Sequence, residues 1–148
     1  MSALSELYKT DFHAWTLKAA ELIRQHRFDE VNTDDLAEEL DSMGKKERNE
    51  IANRLVILLA HLLKRQFQPA YRSTGWRSSI IEQRKQIQRQ IQSSPSVKPY
   101  VPEAIDDAYP DAVDITVRET LLGPERFPRS CPYAIDEILD FDFYPNEP

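Results

Sequence analysis

Glycine occurs only three times in these 148 residues, and a β-rich fold with many tight turns is hard to build without it. Cysteine is scarcer still. The one thiol, Cys131, has no partner for an internal disulfide. With no histidine near it in sequence, it reads as a small buried apolar residue rather than a nucleophile. Long apolar runs are absent too: the longest, Leu55 to Ala60, is far too short to cross a bilayer. The opening MSALSELYKT lacks the basic and then apolar segments of a secretory signal. Together these point to a reducing, cytoplasmic setting and no membrane partner. There is no glycine-rich phosphate loop, HExxH, CxxC pair or EF-hand loop, so the pattern calls for no cofactor and no metal.

What is present specifies an all-α fold. A chain of this length is expected to form one domain, residues 1–148, with a core large enough to need no staple. The best core candidate is Ile51 to Leu63, IANRLVILLAHLL, within a helix from about Lys45 to Gln66. At helical spacing Ile51, Leu55, Leu58, Leu59 and Leu62 share one side, and Val56 and Leu63 widen it. On its flank Arg54, His61 and Arg65 form a polar ridge that must meet something.

Three more main helices are expected around it. The first runs from about Thr10 to His26, with Thr10 or Asp11 as its cap and Tyr8, Phe12, Trp15, Ala19, Leu22 and Ile23 on one stripe. A short acidic helix follows from Asn32, with Leu36, Leu40 and Met43 facing inward, and Gly44 is read as its stop. Trp76 to about Gln92 forms the next, on a stripe of Trp76, Ile80, Ile87 and Ile91. Arg84 lies beside that stripe, so its guanidinium should be partly buried and in need of a carboxylate or several carbonyls. The fourth main helix spans about Val97 to Leu122, ending before Gly123, with Pro110 expected to split or kink it near Tyr109. A short C-terminal helix, Pro132 to Leu139, and the FDFY run complete the picture, with the aromatics packing back on the bundle. The reading is therefore a bundle of four main helices over about 10–122, with a C-terminal helix and aromatic tail over about 130–144.

The charges come in blocks. Residues 29–41 carry seven acids and no base, residues 64–89 seven Lys or Arg against Glu82 alone, and residues 103–147 twelve acids against three arginines.

The run LYKTDFHAW, then EELDSMG, LAHLLK, W-x3-I-x3-R, SPSVKPY and FP-x2-CPY resembles an uncharacterised bacterial family, the domain of unknown function twenty-nine, from Leu7 to about Leu139. The resemblance implies a helical protein with no established activity. The family's recurrent polar positions fall here on Tyr8, Asp11, Glu38, Glu39, His61, Lys64 and Arg84, and its aromatic marks on Trp15, Trp76 and the Cys131-Pro132-Tyr133 turn. Asp41, Met43, Pro102 and Pro110 depart from the family's usual pattern.

Three functional readings follow. A protein-interaction or regulatory module, a self-associating one included, needs least of the sequence and is favoured over an enzyme; complementary acidic and basic faces would serve it. A nucleic-acid-associated protein would use the basic segment through Arg72, Arg77, Lys85 and Arg89, although the overall pI near 5.1 opposes a polyanion. An acid-base or metal-dependent enzyme would need Asp11, Glu39, His61 and Arg84 to converge inside the bundle. The same four residues can equally make a salt-bridge network that fixes helix order.

Overall fold

The computed structural model describes residues 3–68 and 74–146. Helices account for nearly all of the regular structure, and no strand forms among the described residues. In chain order they are α1 (Ala3–Thr10), α2 (Phe12–Arg24), α3 (Thr33–Phe67), α4 (Thr74–Ser93), α5 (Val101–Thr120) and α6 (Ile135–Leu139). Among the described residues, three 3₁₀ turns, Phe28–Glu30, Pro95–Tyr100 and Pro124–Arg126, lie between them. Among the described residues, no helix is long and apolar enough to cross a membrane.

The chain divides into two compact units, Met1–Lys46 and Glu47–Pro148. In the first, α1 packs on α2, and Leu4, Trp15, Ala19, Leu22 and Val31 form a small core. The helix expected from about Thr10 to His26 is α2, and a further helix, α1, precedes it. Asp11 separates the two, because its carboxylate is taken up as the N-cap of α2, accepting from the Ala14 N–H at 3.1 Å. The end of α2 also comes early: His26 takes the left-handed conformation (φ 58°) and stacks edge-on against Phe28 outside the helix.

The expected stop at Gly44 does not occur. α3 runs unbroken for 35 residues, because a glycine terminates a helix only by adopting positive φ, and Gly44 does not. Its start is as expected: the Asn32 side chain accepts from the N–H groups of Asp34 and Asp35, and those two acids sit in the first turn.

The second unit is built on the C-terminal part of α3. Ile51, Leu55, Leu58, Leu59, Leu62 and Leu63 are buried with Ile80 and Ile87 of α4, Val101, Ile105, Ala108 and Ala112 of α5, and Ile138 of α6. α5 starts later than its sequence suggests, since Pro95–Tyr100 is a 3₁₀ turn; Pro102 then sits in the first turn, where a missing N–H costs nothing. The helix continues through Pro110 without splitting at Tyr109. It ends at Thr120, and its C-cap Leu121, two residues before Gly123, is in the left-handed conformation (φ 63°) and 92% exposed. α6 begins at Ile135 rather than at Pro132, and Phe143 and Tyr144 of the tail pack back against this core.

Candidate functional site

The sequence-derived residues take separate structural duties. In the first unit Asp11 is exposed and caps α2, while Glu39 accepts a hydrogen bond from the Tyr8 hydroxyl at 3.2 Å. Burial, that hydrogen bond and the neighbouring carboxylates Glu38 and Asp35 push the Tyr8 phenol up. His61 and Arg84 belong to the second unit. Among the described residues, no three His, Cys, Asp or Glu side chains are grouped to hold a metal ion.

His61 lies on the flank of α3, mostly withdrawn from solvent, and its Nδ1 is buried with no hydrogen-bond partner among the described residues. Burial, reinforced by the Lys64 charge, lowers its pKa to about 4, so the ring is neutral at neutral pH. Lys64 is itself buried and pairs with Glu119 of α5; burial still pushes its ammonium down. Of the polar ridge on this helix, Arg54 meets Glu50 at 3.1 Å and Gln83 of α4 at 3.5 Å.

Arg84 is the largest fully buried side chain, 0% exposed in the middle of α4. Its Nε donates to the Ile138 carbonyl at 2.7 Å and its Nη2 to the Glu137 carbonyl at 3.3 Å. One helical turn on, Gln88 donates to the Leu139 carbonyl at 2.9 Å. These are carbonyls of the last turn of α6, where the helix's own ladder runs out and the Glu137 carbonyl also takes the Asp140 N–H, so α4 caps α6 from the side. The remaining nitrogen, Nη1, is buried with no partner among the described residues. No carboxylate comes within ion-pair distance of Arg84 among those residues, and burial lowers its pKa while Tyr144 and Asp140 oppose that shift. An arginine nevertheless keeps its proton in proteins, so this is a buried positive charge held by neutral carbonyls.

Arg84 is also one of three arginines gathered on the same aromatic ring. The guanidinium carbons of Arg65, Arg77 and Arg84 lie 4.7, 5.1 and 5.5 Å from the centroid of Tyr144. Each such contact is worth about 0.5–2 kcal/mol, whereas withdrawing one ion from water costs several kcal/mol, so the ring alone does not compensate the assembly. Arg77 and Arg84 are seven residues apart on one side of α4, and Arg65 stands one turn after His61 on α3. Arg65 and Tyr144 were not singled out as a pair by sequence; the signals were the ridge on α3 and the aromatic tail, with nothing local to join them.

The basic segment resolves as follows. Arg72 lies outside the described residues. Arg77, Lys85 and Arg89 are exposed on α4, and with Ile81, which is 41% exposed, they recur every four residues on a single face. In the first unit, an open groove of about 680 Å³ is lined by Ala3, Leu4, Leu7, Ala14, Leu17 and Leu22. Lys18, Glu21, Asp29 and Glu30 rim it, and Leu17 is 62% exposed at its edge.

The Cys131-Pro132-Tyr133 turn is structural in its contacts. Tyr133 is buried, donates to Gln66 Oε1 at 2.7 Å and has its phenol pushed up by burial; the Cys131 thiol is pushed up by burial as well and faces the Tyr133 carbonyl. Tyr109 donates to the Pro128 carbonyl at 2.7 Å, and burial pushes it up to about 12. Two turns of irregular chain are thereby tied to α3 and α5 by buried phenols.

A family model, Domain of unknown function DUF29, matches residues 7–144. The chain belongs to that family. It matches no curated protein and no solved structure. In this DUF29 chain, then, Tyr8 and Glu39 make a hydrogen bond in the first unit, Asp11 is a helix cap, and Arg84 fastens α6 to α4.

Proposed function

We propose that this chain is a non-enzymatic protein-interaction module that associates with a second copy of itself, the acidic, apolar groove of one N-terminal unit receiving the basic α4 face of the other copy. The observation that carries this reading is the groove around Leu17. An apolar concavity in so small a unit leaves leucine in water, and a partner that covers it gains about 25 cal/mol per Å² of apolar surface removed. Charge complementarity supports the choice of occupant. The groove is bordered by Asp29 and Glu30, at the start of the acidic block, and by Glu21, which is paired with the cation of the rim, Lys18, while α4 offers Ile81 between Arg77 and Lys85 with Arg89 one turn further on. An apolar residue flanked by cations fits an apolar groove flanked by carboxylates. Two such contacts in one dimer close under two-fold symmetry. The lone, half-buried Cys131 thiol fits a reducing, cytoplasmic setting for this work.

Light scattering at low and high salt tests the proposal. A dimer is expected at low salt that weakens as salt screens the charges. Leu17→Glu and the pair Lys85→Glu with Arg89→Glu should each give monomers, and mixing the two variants should restore one of the two contacts. A strict monomer at low salt would sink the reading. The exposed cations of α4 also favour a second reading, nucleic-acid association. Low-salt anisotropy with labelled RNA or DNA, abolished by the same Lys85 and Arg89 substitutions in a monomeric protein, would replace the first reading with it. The acid-base enzyme reading draws least from the site, because the Asp11 carboxylate is engaged as a cap and His61, its pKa lowered to about 4, is a weak base.

A further inference from the structure

We infer that the Arg65, Arg77 and Arg84 cluster under Tyr144 is a binding site for a phosphate-type dianion, with the tyrosine ring occupying the site when no anion is bound. Three observations converge on it. Three guanidiniums lie within 5.5 Å of the centroid of one ring. Arg84 is fully buried, spends Nε and Nη2 on neutral carbonyls, and leaves Nη1 buried with no partner among the described residues. The ring covering them belongs to the irregular tail after α6, residues 140–146, which carries no helix that would have to unfold for Tyr144 to swing out.

The chemistry selects the ligand. A guanidinium is a rigid fork that matches two oxygens of an oxyanion, and clusters of arginines are used where phosphate must be held. Among the described residues neither Arg77 nor Arg84 has a carboxylate at ion-pair distance, and Asp140 acts on Arg84 only from further off. A single carboxylate ligand would answer one of the Arg77 and Arg84 charges; a doubly charged phosphate answers both. Tyr144 holds the same forks by its π face, a weaker partner than an oxyanion, so displacement of the ring is the binding step. The site shares Arg77 with the α4 face of the proposed self-association, but Lys85→Glu with Arg89→Glu, which removes that association, leaves its three arginines in place, so the two readings fail separately.

The test is calorimetric titration of the full chain with inorganic phosphate, beside acetate, and with chloride at matched ionic strength as the screening control. Phosphate is expected to bind saturably at one site per chain, to raise the Tm where chloride does not, and to bind more tightly than acetate. Arg77→Gln, at an exposed position, should weaken phosphate binding by about tenfold or more, the loss of one charge-assisted fork. Tyr144→Ala removes the competing ring and should tighten it. Arg84→Gln should abolish binding. Should that variant fail to fold, Arg77→Gln and Tyr144→Ala still decide, because both lie at the surface of the site. Equal responses to phosphate and chloride, acetate binding as tightly as phosphate, or an unchanged affinity in Arg77→Gln would each overturn the assignment.

Discussion

Replacing Arg84 by methionine isolates what a buried guanidinium contributes when its partners are carbonyls. The substitution keeps most of the side-chain volume in a position with no solvent exposure, so cavity formation is a minor part of the outcome. What is lost is the pair of hydrogen bonds to the Ile138 and Glu137 carbonyls, each worth about 1.5–3 kcal/mol from a charged donor. Removing a buried charge in favour of a well-packed apolar group returns about 1–4 kcal/mol. The balance is a net loss of about 2 kcal/mol, and in a chain of this size roughly 4–8 °C in Tm. Thermal unfolding followed by circular dichroism measures that shift. Hydrogen exchange locates it: the amides of Ile138 and Asp140, bonded within α6 to Ala134 and Glu137, should lose protection before those of α3. An unchanged Tm together with unchanged exchange in α6 would refute the claim that α4 holds this helix by its carbonyls.

Two further outcomes follow from single residues. Gly44 stands inside α3 with helical backbone and open space where a Cβ would go, so Gly44→Ala should stabilise the chain by about 0.5–1 kcal/mol, read as a rise in Tm or in the urea midpoint. His61 has its pKa lowered to about 4 in the folded chain, below its value when unfolded. The unfolded state therefore binds the proton first. Stability is full above about pH 6.5, falls as pH drops from there towards about 4, and is flat in this respect below. Tm measured across that window should decline less in His61→Gln than in the unsubstituted chain, and parallel profiles would show that His61 does not drive the decline.

The all-helical architecture was legible because apolar residues recur at helical spacing: Trp76, Ile80, Ile87 and Ile91 marked α4, and the leucines of α3 marked the main core. Asp11 was legible as a cap, but its consequence was not, since a capped α2 leaves an independent helix before it. Leu4, Leu7 and Tyr8, spaced three and four apart, were the available signal for α1. Gly44 misled for a definite reason: glycine permits positive φ without requiring it, and the sequence on both sides continues to favour helix. At the end of α5 the opposite happened, and Leu121 took the left-handed position two residues ahead of the glycine that seemed meant for it. The candidate site was partly legible. Arg84 announced itself by lying beside an apolar stripe, whereas its meeting with Arg65, Arg77 and Tyr144 depends on a tail whose path no local pattern encodes.

The shortness of α6 has a consequence of its own. A helix of five residues does not survive alone in water, where the cost of nucleation exceeds the return from so few hydrogen bonds. α6 is thus helical by tertiary consent: its last carbonyls are answered by Arg84 and Gln88 and its Ile138 is buried in the core. Its helicity reports whether α4 still holds it. Anything that draws Arg84 or Gln88 from those carbonyls is registered there first, as a local melting of one turn while the rest of the unit stays folded.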